Sequence, residues 1–109
     1  MYMTTIISDS QFDEIFKEKD LIVLDFFAPW CGPCKMISPV LDKVSEVFKD
    51  NEKVFICKIN VDEDSKTAVQ YSVRGIPTIL FIKNKEVVES VTGFKPESFL
   101  IDKINYYLS

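Results

Sequence analysis

Residues 21–35 read Leu21-Ile22-Val23-Leu24-Asp25-Phe26-Phe27-Ala28-Pro29-Trp30-Cys31-Gly32-Pro33-Cys34-Lys35. Seven residues that are apolar on both faces, broken only by Asp25, have the pattern of an interior strand in a sheet covered on both sides. From Cys34 to about Lys49 the apolar positions change period: Ile37, Val40, Leu41, Val44, Val47 and Phe48 recur at helical spacing. Pro39 lies inside that helix and removes one backbone hydrogen bond, which predicts a kink. Two cysteines, two residues apart, therefore sit at a strand-to-helix junction. On its own a Cys-x-x-Cys is ambiguous among a metal half-site, a structural disulfide and a redox pair.

Composition narrows the choice. The 109 residues include three Cys and no His, and a structural zinc site wants four such ligands. Cys31, Cys34 and Cys57 cannot complete one within a monomer, so no metal is expected. Apolar residues make up 47% of the chain, enough for a core that needs no staple, and a disulfide framework would leave an odd thiol. A net charge of −4 argues against nucleic acid or an anionic membrane as partner, because either wants a basic face. No apolar run approaches the ~20 residues that span a bilayer. The start, Met1-Tyr2-Met3-Thr4-Thr5, lacks the basic and long apolar regions of a signal peptide. A cytoplasmic or equivalent reducing compartment is expected, with residues 1–109 forming a single domain.

Outward from the junction, Thr4–Ile7 is β-prone, and Ser8 or Asp9 can cap a helix over about 9–19, with Phe12, Ile15 and Phe16 on one face. Downstream, Val54–Val61 reads as a second interior strand. Asp62-Glu63-Asp64-Ser65 offers a cap and an acidic first turn for a short helix over about 64–71. Two strands, 78–83 and 86–91, flank Asn84-Lys85 and form a hairpin. A tight turn there usually asks for Gly at the second position, so Lys85 predicts either strain on the order of 1 kcal/mol or a different turn. Gly93 ends the strand. Pro96 opens a last helix to about Leu108, with Phe99, Leu100, Ile104, Tyr107 and Leu108 as its buried stripe. The order β-α-β-α-β-α-β-β-α implies an α/β fold: a central mixed five-stranded sheet covered by four helices.

With Trp30-Cys31-Gly32-Pro33-Cys34 at such a junction, the chain resembles the thioredoxin family, for which a Cys-x-x-Cys near a βαβ pattern is a known signature. The likeness extends over essentially the whole chain: Asp25 before the motif, Pro39 after it, Lys58 in the next strand, Val73-Arg74-Gly75-Ile76-Pro77-Thr78, and Gly93. Lys85 and Cys57 depart from the family pattern.

The resemblance implies the thioredoxin fold and a protein-disulfide reductase, an enzyme that needs no bound cofactor. It would work with a thioredoxin reductase as electron donor and varied disulfide-containing proteins as substrates, and as a monomer. Cys31 would be the attacking thiolate, favoured by unpaired backbone N–H groups and the helix dipole. Cys34, the less exposed thiol, would resolve the mixed disulfide.

Asp25, desolvated within its strand, should have a raised pKa and is the expected base for Cys34, with Lys58 beside it tempering the shift. From the residues alone, a purely structural Asp–Lys pair is equally open. Trp30, Gly32, Pro33, Gly75, Ile76, Pro77 and Gly93 would form the substrate-binding surface. In the family the Ile76–Pro77 bond is cis, although cis is rare for X-Pro generally (~5–6%), and the Ile76 backbone pairs with an extended substrate segment.

A disulfide oxidase or isomerase is a rival reading, as is a redox-independent binding subunit. Cys57, on the strand face opposite Lys58, reads as core filling, with a regulatory thiol as the alternative.

Overall fold

In the computed structural model, which describes residues 2–109, a five-stranded sheet carries helices on both faces. Met1, the first residue of the expected domain, lies outside the described residues. The elements in chain order are β1 (Thr5–Ile6), α1 (Asp9–Glu18), β2 (Leu21–Phe27), α2 (Gly32–Val47), β3 (Val54–Asn60), α3 (Lys66–Gln70), β4 (Thr78–Lys83), β5 (Glu86–Thr92) and α4 (Glu97–Leu108). Strand order is β1-β3-β2-β4-β5; β1, β3 and β2 run parallel, while β4 and β5 are antiparallel additions. The expected element order and mixed, doubly covered sheet are thus observed. No helix of the described residues is long and apolar enough to cross a membrane.

Alternation along β2 divides the core in two. Ile22, Leu24 and Phe26 pack with Phe12, Cys57, Ile59, Leu80 and Ile82 on one face. Leu21 and Val23 pack with Ile37, Leu41, Val44, Phe81, Leu100 and Ile104, side chains of α2, α4 and β4, on the other. Each such side chain, fully buried, contributes roughly 1.5–3 kcal/mol. By the same period of two, Asp25 falls on the face that Leu21 and Val23 share with α2. The sheet thereby places a carboxyl beneath the helix that carries Cys34.

Two positions differ from the sequence reading: one for a reason of helix geometry, the other through a tertiary contact. Val47, expected in the α2 stripe, is exposed. At 3.6 residues per turn it lies about 80° from Ile37, at the edge of the stripe that Leu41 and Val44 centre. Pro39 lies inside α2, as the sequence placed it.

The short third helix is Lys66–Gln70, and Ser65 at its N-cap makes no side-chain bond to it. The cap comes from α1 instead. Asp9 accepts from the Lys66 and Thr67 backbone N–H groups at 3.2 and 2.9 Å and from the Thr67 hydroxyl at 2.6 Å. Reciprocally, the Asp9 N–H donates to Asp64 Oδ1 at 3.0 Å. Burial alone would push the Asp9 carboxyl up, but these hydrogen bonds outweigh it and hold the carboxyl below its usual range. Ser8 caps α1 with a full capping box to Gln11. In the β4–β5 hairpin, Asn84 (φ 50°) and Lys85 (φ 71°) both occupy the left-handed region, the pattern of a type I′ turn. Lys85 therefore carries the anticipated strain.

Candidate active site

The chain reaches the site through a turn closed by the Cys31 N–H donating to Ala28 O at 3.2 Å. Cys31 is then the N-cap of α2: its backbone is extended (φ −83°, ψ 112°), and its sulfur accepts from the Cys34 N–H at 3.2 Å. A sulfur thus occupies the position normally held by a Ser or Asp oxygen. Pro33 fits in the first turn because its missing N–H would have had no partner in the helix. Cys31 and Cys34 are joined by a disulfide with Cα atoms 5.2 Å apart. The Cys34 N–H and the positive end of the helix dipole lie at the Cys31 sulfur, and both favour its thiolate once the bond is reduced. The expectation that Cys34 is the less exposed of the two is not met: in the disulfide each residue is 4% exposed. Ala28, Phe27, Val61 and Ile76 cover the pair.

Facing them, the Ile76–Pro77 bond is cis, as the resemblance implied, and Ile76 O lies 3.7 Å from Cys31 Sγ. The Gly93 N–H donates to Pro77 O at 2.8 Å, tying the β5 exit to this loop, and Gly93 (φ 90°) adopts a backbone that only glycine takes without strain. Gly75 has its carbonyl held by the Thr78 hydroxyl. At Gly32, by contrast, neither φ nor space demands glycine. Trp30 is 69% exposed, and its indole N–H donates to Asp62 Oδ1 at 3.3 Å. Gly32, Pro33 and Gly75 are exposed, Ile76 and Gly93 half-buried and Pro77 buried. All seven residues expected at the binding surface lie on the three segments around the disulfide: the α2 start, the cis loop and the β5 exit.

Behind the disulfide is a cavity of about 270 Å³ lined by Asp25, Phe27, Cys34, Lys35, Ser38 and Lys58, among others. Asp25 is 2% exposed, and its Oδ1 is buried with no hydrogen-bond partner. Burial pushes its carboxyl up to about 7, and the Lys58 charge works in the opposite direction. Asp25 and Lys58 are register partners across β2 and β3, as the sequence suggested. They are not a salt-bridged pair, however. The Lys58 ammonium donates to Ser38 Oγ at 3.0 Å and sits 5.1 Å from the centre of the Phe27 ring.

Sequence reasoning missed Ser38 and Asp62. Ser38 left a signal, since it stands four residues after Cys34 and so on the same helix face. The only trace of Asp62 was its acidic run, which was read as a helix cap. Cys57 is fully buried on the opposite face of the sheet, among Leu24, Phe26 and Ile59. Burial, with the Asp25 charge adding to it, pushes the Cys57 thiol up.

Comparison with known proteins agrees with this geometry. The family model described as Thioredoxin matches residues 3–106. A thioredoxin of Haemophilus influenzae is 47% identical over 103 residues, covering 94% of each chain. One from a Synechocystis species is 41% identical over 109 residues, covering 99% of this chain and all of its own. An M-type chloroplastic thioredoxin of Spinacia oleracea is 44% identical over 94% of this chain, which spans 56% of that relative's length. Among solved structures, a mutant thioredoxin from Halobacterium salinarum superposes with a TM-score of 0.86 at 33% identity, covering 98% of this chain and 92% of its own.

Proposed function

We propose, from the premise that this chain belongs to the thioredoxin family of thiol–disulfide oxidoreductases, that it is a protein-disulfide reductase acting through Cys31 and Cys34. The observation that carries the reading is the Cys31–Cys34 disulfide at the N-terminus of α2 with an unpaired buried carboxyl behind it.

The reduced protein attacks first with the Cys31 thiolate. Its sulfur displaces one sulfur of the substrate disulfide, which leaves as a thiolate and takes a proton, and a mixed disulfide forms at Cys31. Cys34 then gives its proton to Asp25. A carboxyl poised at about 7 is half-ionised near neutral pH, where general acid–base transfer is most effective. The Cys34 thiolate attacks Cys31 Sγ, the second substrate sulfur leaves as a thiolate and takes a proton, Asp25 gives up the proton it had accepted, and the intramolecular disulfide described above is the product. Two electrons and two protons have passed to the substrate.

An extended substrate segment would lie along the cis loop, its backbone pairing with Ile76 and its side chains resting on Trp30 and the open faces of Gly32, Pro33 and Gly75, with Pro77 and Gly93 shaping the loop from beneath. Lys58 acts on Asp25 through its charge. Re-reduction by a separate thioredoxin reductase completes the cycle, and the protein works as a monomer. A reducing compartment suits a dithiol carrier. The relatives include bacterial and chloroplastic proteins, and we favour the cytoplasm.

Insulin reduction, with NADPH and a purified thioredoxin reductase, tests this reading. Cys31→Ser should abolish turnover, and rates near wild type would overturn the assignment. The variant with both cysteines replaced by Ser separates a reductase from a binding subunit, since only the latter keeps its effect. Asp25→Ala should slow release of the mixed disulfide; an unchanged rate from pH 6 to 9 would remove Asp25 from the mechanism.

A further inference from the structure

Lys58 and Asp25 carry opposite charges on neighbouring strands, in register and lining one cavity, yet each is otherwise disposed. The ammonium donates to Ser38 Oγ at 3.0 Å, while Asp25 Oδ1 is buried without a partner. With Asp25 buried and the ammonium lining the same cavity, electrostatics alone would be expected to pair the two. We propose that Ser38 is a positioning residue whose hydroxyl holds the Lys58 ammonium against α2, keeping Asp25 unpaired and free to take the proton of Cys34. The role assigned to Cys34 rests on the reading of function above; the hold on Lys58 does not.

Two features make Ser38 suitable. It stands one helical turn after Cys34, so the thiol and the hydroxyl project from the same face of α2 into the cavity. It is also anchored on a continuous 16-residue helix, whereas the lysine it holds has a long and flexible stem. The Phe27 ring, 5.1 Å from the ammonium, supports the same placement from β2.

The groups that face Asp25 are few. From β3 comes Lys58; from α2 come Cys34 and Lys35. The paired position on β4 is Ile79, and Cys57 lies on the far side of the sheet. Once the hydroxyl is removed, the side-chain oxygen that the cavity lining still offers the ammonium is that of the unpaired Asp25.

The experiment is a carbon-13 NMR titration of the Asp25 carboxyl in the oxidised protein, assigned by the resonance that Asp25→Asn removes. Ser38→Ala should lower the titration midpoint by about 1 pH unit or more, as a newly paired cation does. Ser38→Thr, which keeps the hydroxyl, should restore it. In a Lys58→Met background Ser38→Ala should shift nothing. An unmoved midpoint in Ser38→Ala, or an equal shift without Lys58, would overturn the proposal. Insulin reduction over pH 5–9 by the same variants reads the catalytic step separately. A lowered midpoint with an unmoved pH–rate limb would uphold the hold on Lys58 while removing Asp25 as acceptor of the Cys34 proton.

Discussion

Replacing Asp25 by Asn should stabilise the oxidised protein, and the gain should grow with pH. The carboxyl titrates near 4 in an unfolded chain and is pushed up to about 7 in the fold by burial. Below pH 4 it is protonated in both states and contributes nothing. Between 4 and 7 the unfolded chain releases the proton while the fold retains it, so stability falls as pH rises; above 7 the loss is complete. At about 1.4 kcal/mol per pH unit, three units come to about 4 kcal/mol. That is a large share of the roughly 5–15 kcal/mol that holds a domain this size together. Asn preserves the shape and also lacks a partner in the pocket, a cost that does not vary with pH and so moves only the baseline. Urea unfolding of the oxidised protein at pH 4, 5.5, 7 and 8.5 measures the gap. A variant-minus-wild-type difference that is flat across this range would refute the claim that a desolvated carboxyl resides at position 25.

Three further substitutions test the frame around the site. Lys85→Gly should stabilise by about 1 kcal/mol, because glycine occupies the left-handed region without the clash that Lys85 (φ 71°) bears; an unchanged urea midpoint would argue against the type I′ turn. Asp9→Ala should destabilise by about 1 kcal/mol, since it removes the cap that α1 lends to α3. The Asp9 carboxyl is held below its usual range, so its contribution is present above about pH 4 and is lost as pH falls through the lowered value; the penalty of the variant should vanish in acid. Gly93→Ala should cost about 1–2 kcal/mol by forcing a side chain into φ 90°. Thermal unfolding by circular dichroism checks it, and a wild-type melting temperature would contradict the backbone assignment.

The elements and their order were legible in the chain alone, because each carries its own period. Both faces of residues 21–27 are apolar, which a covered strand requires, and residues 34–48 repeat at helical spacing. The chain alone also showed where the cysteines sit and that Asp25 lies in an apolar strand, so a raised carboxyl was legible before any fold was known. Contacts between elements distant in sequence were not legible there and emerge only from the packed fold. That Asp9 rather than Ser65 caps the third helix depends on α1 and α3 meeting on one face of the sheet. That Lys58 reaches Ser38 rather than Asp25 depends on α2 packing over the cavity between β2 and β3, where all three residues meet. Periodicity reports which face a side chain takes; it carries no information about which of two nearby acceptors a flexible ammonium reaches. The junction at Cys31 is where the two kinds of information meet. Its strand, the Asp25 of that strand and its helix are written locally, while the Ile76 carbonyl 3.7 Å from its sulfur arrives only through the tertiary fold.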